Sequence, residues 1–114
     1  MSTPPDSHFL IFAPDVPNAQ REKYKPQHME YNGPLFQSGY IVSGGGLLPD
    51  GKIATDADVL ENLVGSFIIV KADSKAQVLE TLKGDPFYSS GEVWDHEKLQ
   101  ITPIFLVGGG PKAK

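Results

Sequence analysis

The chain contains no cysteine, which excludes disulfides, thiolate nucleophiles and cysteine-ligated metals and suits a reducing compartment. Long hydrophobic runs are also missing: the first apolar stretch, Phe9 to Ala13, is far too short to span a bilayer. No basic segment precedes it as a signal peptide requires, so a cytoplasmic protein without a membrane partner is expected. Nor is positive charge in excess. Ten Lys and Arg stand against 14 Asp and Glu, a formal net charge of −4. The electrostatic term that drives nucleic-acid binding is therefore absent, and neither DNA nor RNA is an expected partner. The densest basic cluster, Arg21, Lys23 and Lys25, is interleaved with Glu22 and reads as a solvated face. Metal-ligand spacing is lacking too: His8, His28 and His96 form no His-x-His or i, i+4 pair, so no metal is expected.

What is present suffices for one core. With 114 residues and 39% hydrophobic content, the chain reads as a single domain over residues 8–107, with loose tails at 1–7 and 108–114. His8 to Ala13, stopped by Pro14, has the pattern of a buried strand. Asn18 offers a helix cap, but Pro26 is expected to kink that helix or restart it. If the helix starts at Pro26, His28 lies in its first turn, where the dipole disfavours the imidazolium and keeps the ring available as a base. Met29, Leu35 and Phe36 would then face the core. Gly39 to Leu48 reads as a second strand running through Gly44, Gly45 and Gly46. The polar excursion from Leu47 to Glu61 reads as a lid or a plain insertion, with a helical turn expected within Ala57 to Leu63. Gly65 to Ala72 is the clearest strand, and its continuous apolar centre predicts burial on both faces. Ser74 and Gln77 form a capping box ahead of the stripe Val78, Leu79 and Leu82, which ends at Lys83-Gly84. A turn through Ser89 to Gly91 leads to a last strand, Leu99 to Val107, which Pro103 pushes toward a sheet edge or bulge.

The order strand, helix, strand, strand, helix, strand is the split βαβ unit, an α+β fold with one antiparallel sheet and both helices on one face. The uncovered face predicts a homodimer with two sheets packed together. Topology brings the end of the first strand, the start of the first helix and the end of the second to one edge of the sheet. Asp15, Asp85 and His28 are expected to converge there. Asp85, in Gly84-Asp85-Pro86-Phe87, lies just past a helix end, and with His28 it would make an acid/base pair. The alternative is that Asp85 only ends a helix and His28 only covers a surface. Other motifs carry less. Gly46 to Lys52 matches GxxxxGK, but Ile53 stands where a Ser/Thr would hold magnesium, and Pro49-Asp50-Gly51 is a turn sequence. Ser43 and Ser66 lie in no GxSxG elbow and remain candidate hydrogen-bond donors to a substrate. Trp94 is expected to pack or to form a pocket wall, with Asp95 and His96 in an exposed turn.

Four segments, Phe9 to Asn18, Gln27-His28-Met29, Gly65-Ser66 and Gly84-Asp85-Pro86-Phe87, together resemble the YCII-related family. The resemblance covers residues 8 to 107 and implies a ferredoxin-like βαββαβ fold assembled as a dimeric α+β barrel. In that family the helix histidine and the aspartate of the Asp-Pro-aromatic motif are regarded as the active-site pair, which falls here on His28 and Asp85. Family relatives act without cofactors on small cyclic or aromatic compounds, including dehydrochlorination of a chlorinated hydroxyhydroquinone. The wider superfamily includes muconolactone isomerases and decarboxylases. The resemblance thus implies a cofactor-independent lyase or isomerase with a small oxygenated ring substrate. Asp15, Lys25, Ser43, Ser66, Phe87 and Trp94 are its candidate substrate-binding residues. Lys25 stands where the family often has arginine, replacing a bidentate grip by a point charge. The segments 46–61 and 88–98 look longer than in compact members and are expected to shape the pocket rim. The competing reading is a non-catalytic dimeric module that binds a small hydrophobic ligand.

Overall fold

The computed structural model of the chain describes residues 7–107. Runs rich in β-branched and aromatic residues form β1 (His8–Pro14), β2 (Ile41–Leu47), β3 (Gly65–Lys71) and β4 (Gln100–Ile104). Helix α1 (Arg21–Gln37) joins β1 to β2, and α2 (Lys75–Leu82) follows β3. A one-turn helix, α3 (Pro86–Ser89), occupies part of the segment where a plain turn was expected. The strands make a single antiparallel sheet in the order β2-β3-β1-β4. This is the expected α+β, ferredoxin-like arrangement, and Pro103 lies on an edge strand where its missing N–H costs no ladder bond.

One sheet face carries the core. Phe9, Ile11 and Ala13 of β1 point inward and lie opposite Val70, Ile68 and Ser66 of β3. Ile41, Ile101, Val78, Leu82, Phe87, Val93 and Trp94 complete the buried cluster. Strand β3 is not buried on both faces as expected. Phe67 and Ile69, which alternate with the core residues, are only half-buried because the helices cover one side of the sheet. The expected tails fall outside the described residues apart from Ser7, whose carbonyl accepts from the Ala72 amide. Among the described residues no helix is long and apolar enough to cross a membrane.

The first helix departs most from expectation. It runs unbroken from Arg21 through Pro26 and Pro34, with Gln20 as its N-cap, so Pro26 does not restart it. Each proline removes one backbone donor, freeing the carbonyl four residues earlier. Those residues, Glu22 and Glu30, are exposed, as are both prolines, so solvent can satisfy the freed groups. Met29 and Phe36 do not face the core either, being 60% and 52% exposed. The core side of α1 is instead Tyr24, Tyr31, Asn32 and Leu35.

Ser74 caps α2 by accepting from the Gln77 amide (3.1 Å), and Gln77 Oε1 accepts in return from the Asp73 amide (2.7 Å). Gly65, at the start of β3, sits where backbone crowds in. A Cβ there would lie 2.8 Å from the Ala13 carbonyl oxygen and 3.0 Å from Pro14 Cα. At Gly46 a Cβ would meet only the Leu63 side chain. Urea unfolding should therefore show Gly65→Ala destabilising the protein by about 1–3 kcal/mol. Gly46→Ala, where a flexible side chain can yield, should cost visibly less.

Candidate active site

Asp85 is 1% exposed. Its backbone is extended (φ −82°, ψ 126°), as the following proline demands, and it caps α3. Oδ1 accepts from the Phe87 amide at 2.9 Å. The other contacts come from α1: His28 Nδ1 lies 2.8 and 2.9 Å from the two carboxylate oxygens, and Asn32 Nδ2 lies 2.8 Å from Oδ2. Asn32 Nδ2 also donates to the His28 carbonyl (2.8 Å), which uses its second hydrogen. Asn32 Nδ2 stands 3.2 Å from His28 Nδ1 as well. Facing two carboxylate oxygens, Nδ1 acts as the donor toward Asp85, which leaves Nε2 as the ring nitrogen without a hydrogen-bond partner among the described residues. The ring is fixed in plane as well. It stacks on Phe87 with centroids 3.8 Å apart and meets Trp94 edge-on at 5.9 Å. Gly84 makes room for this packing, since a Cβ there would collide with the phenol of Tyr31, whose hydroxyl donates to the Thr81 carbonyl.

A second network adjoins the first. Arg21 binds Asp15 in a bidentate pair, Nε to Oδ2 at 2.6 Å and Nη2 to Oδ1 at 3.0 Å, and Nη2 also donates to Ser66 Oγ at 2.9 Å. The Trp94 indole N–H donates to the same Ser66 oxygen at 3.1 Å. With both lone pairs of Oγ engaged, Ser66 can only donate to anything further. The guanidinium lies 5.3 Å over the Phe87 ring, linking the two networks through one aromatic side chain.

Both networks border a cavity of about 280 Å³ between α1, β2, β3 and the long loop after β2. Arg21, Lys25, His28, Met29, Gly33 and Phe36 recur at helical spacing and present one stripe of α1 to it. Gly44 and Gly46 form part of the opposite wall, where their missing side chains leave the sheet open. The loop residues Leu60 and Leu63 close the side. The expected helical turn within that loop is a 3₁₀ turn, Val59–Glu61.

The expected site residues divide accordingly. His28 and Asp85 meet, and Lys25, Ser66 and Phe87 line the cavity beside His28. Asp15 does not reach the pair, because Arg21 takes both of its oxygens. Ser43 lies opposite Ile69, on the sheet face turned away from the helices. Trp94 is fully buried and is no pocket wall; it braces Ser66 and His28 from behind. The segment 88–98 likewise forms no rim, since the Val93 carbonyl and the Trp94 and Asp95 amides tie it to Val16, Phe87 and Pro14. His28 lies in the body of α1, so no argument from the helix N-terminus applies to it. Two residues escaped the sequence reading. Asn32 is four residues after His28 and Arg21 seven before it, so all three share a helix face once Pro26 is known not to interrupt the helix. Arg21 is thus not part of a solvated face. Among the described residues no three His, Asp or Glu side chains converge as metal ligands.

Residues 7–102 match the YCII-related domain. A protein of fusaric acid biosynthesis from Gibberella fujikuroi is 33% identical over 98 residues, spanning 84% of this chain and 90% of that protein. Protein C of the derivative of benzaldehyde biosynthesis cluster of Emericella nidulans is 35% identical over 69 residues, 60% of this chain and 68% of its own length. A similar solved structure is the 5-chloro-2-hydroxyhydroquinone dehydrochlorinase of Burkholderia phenoliruptrix AC1100 in complex with 2,5-dihydroxybenzoquinone. It superposes with a TM-score of 0.70 at 27% identity, covering 89% of this chain and 95% of its own.

Tyr31 reports on the buried carboxylate. Burial, and then the negative charge of Asp85, raise its pKa above the ordinary value of 10.0. A raised phenol pKa means that the fold favours the neutral form. Its contribution to stability is full below about pH 10 and is lost as pH climbs through the folded-state value. Tyrosinate absorbance should show Tyr31 ionising late in the wild type. In Asp85→Asn the transition should move part of the way back toward 10, because burial, the larger cause, remains.

Proposed function

Because this chain belongs to the YCII-related family, we propose that it is a cofactor-independent lyase or isomerase acting on a small cyclic, oxygenated substrate. The observation that carries this reading is His28 in the wall of a largely apolar cavity, paired with the buried Asp85 and with Nε2 as its free base. His28 Nε2 takes a proton from a C–H or O–H group of the ring. The electron pair of that bond forms a new π bond as a leaving group departs with its own pair, or as an existing double bond shifts and its far carbon takes the proton back from the His28 imidazolium. Asp85 holds the ring in one orientation and offsets the charge it gains. Ser66 and Lys25 stand where an oxyanion developing on the substrate would be met. The dehydrochlorinase activity of the structural neighbour supports the reaction class.

His28→Asn tests the role directly, because the asparagine amide can replace Nδ1 as donor to Asp85 while Nε2 is deleted. On 5-chloro-2-hydroxyhydroquinone and a panel of hydroxylated and halogenated rings, turnover should fall roughly 10²–10⁴-fold. The melting temperature should change little. Undiminished turnover by this variant would remove His28 from the chemistry.

The dimer expected from the uncovered sheet face also belongs to this proposal. Leu10, Phe12, Phe67, Ile69 and Ile104 share that face, and Phe12 remains 39% exposed. Packing the face against a second copy would bury them. Light scattering should give a dimer for the wild type and a monomer for Phe12→Glu combined with Ile69→Glu. A monomeric wild type at micromolar concentration would refute it.

A further inference from the structure

We propose that the cavity selects an amphipathic acid: a ring with an anionic head at the His28 end and an alkyl substituent of several carbons along the other. The inference rests on the site assigned above and names the ligand it takes. Along α1 the cavity stripe carries Arg21, Lys25 and His28 toward its N-terminal end and Met29, Gly33 and Phe36 toward its C-terminal end, with Asn32 the one polar residue among the latter. The apolar part covers two helical turns from Met29 to Phe36, about 10 Å of wall. Ile41, Gly44 and Ile68 lie across from it, and Phe36 reaches over Gly44, its Cζ standing 3.8 Å from where a Cβ would be.

Size argues for the substituent. An apolar cavity of about 150 Å³ accepts a benzene ring, and this one, at about 280 Å³, leaves nearly as much again. A bare ring at His28 would leave the Met29–Phe36 wall facing water, and both residues are already more than half exposed. Covering them with an alkyl chain removes that apolar surface from solvent.

Charge argues for the acid. Lys25 lines the cavity and makes no ion pair among the described residues. Arg21 is oriented by Asp15 and Ser66 through Nε and Nη2, which leaves the Nη1 hydrogens without a hydrogen-bond acceptor among the described residues. Ser66 is left as a donor. At this end Lys25, Arg21 Nη1 and Ser66 offer hydrogen, while His28 Nε2 and Asn32 Oδ1 are the acceptors beside them. Glu22, the one acid on the lining, is exposed and solvated.

Isothermal titration of the full chain with 4-alkylbenzoates, from unsubstituted to pentyl, and with the matching 4-alkylbenzyl alcohols tests the proposal without requiring turnover. Each methylene should tighten binding about fourfold until the wall is covered, and each benzoate should bind about tenfold or more tighter than its alcohol. Met29→Gln combined with Phe36→Gln, two exposed positions where an amide is tolerated, should flatten the chain-length series. Lys25→Gln should shrink the advantage of acid over alcohol. A flat wild-type series, or equal binding of acids and alcohols, overturns the proposal even if His28→Asn has lost turnover. A steep series in a His28→Asn protein that keeps full turnover upholds this selectivity and removes only the assigned chemistry.

Discussion

A carboxylate taken out of water must have its lone pairs satisfied, and the site is organised by how Asp85 meets that demand. Its partners come from two directions: the amide of Phe87 two residues on, and His28 and Asn32 from α1. Capping α3 and anchoring α1 are thus done by the same two oxygens. The arrangement orients the histidine as a consequence of stabilising the fold, because α1 satisfies Asp85 by presenting His28 Nδ1 together with Asn32 Nδ2. Capping a helix and pairing with His28, set apart as alternatives by the spacing, are done by one residue.

Around that pair the molecule separates rigid support from an adaptable surface. Trp94, Phe87 and Ser66 are buried and mutually bonded or stacked, and Asp15 fixes Arg21 from the side. These groups hold direction. Met29, Phe36 and Leu60 are exposed and apolar, and they line the cavity without bonding to either network. On our proposal one continuous helix would supply both the base, His28, and, through Met29 and Phe36, the wall that sorts its ligands.

Much of this was legible along the chain because it is local. The strands, the Ser74 cap, the end of α2 before Gly84 and the Asp-Pro turn each depend on neighbours within a few residues, and all form in the expected segments, although the last strand stops at Ile104 rather than Val107. The failures along α1 share one cause. Proline at 26 was weighed by its intrinsic cost, about 3 kcal/mol inside a helix. The contacts that offset it, Arg21 with Asp15, Asn32 with Asp85 and Tyr31 with Thr81, join residues between 6 and 53 positions apart. Once α1 was split in thought, Arg21 and Asn32 lost their relation to His28, and Met29 and Phe36 were turned toward the wrong side.

The sequence by itself determined the order of elements and the antiparallel α+β topology, since periodicity, capping and crossover handedness leave few alternatives; the pairing of His28 with Asp85 came from the family resemblance, because spacing alone left it beside a purely structural reading. Tertiary structure alone decided that Trp94 stands behind the cavity, that Asp15 serves Arg21, and that Ser43 faces away. Those outcomes turn on strand register and on which buried donor reaches which acceptor first. Both are properties of the packed chain, where a one-residue shift moves a side chain to the opposite face.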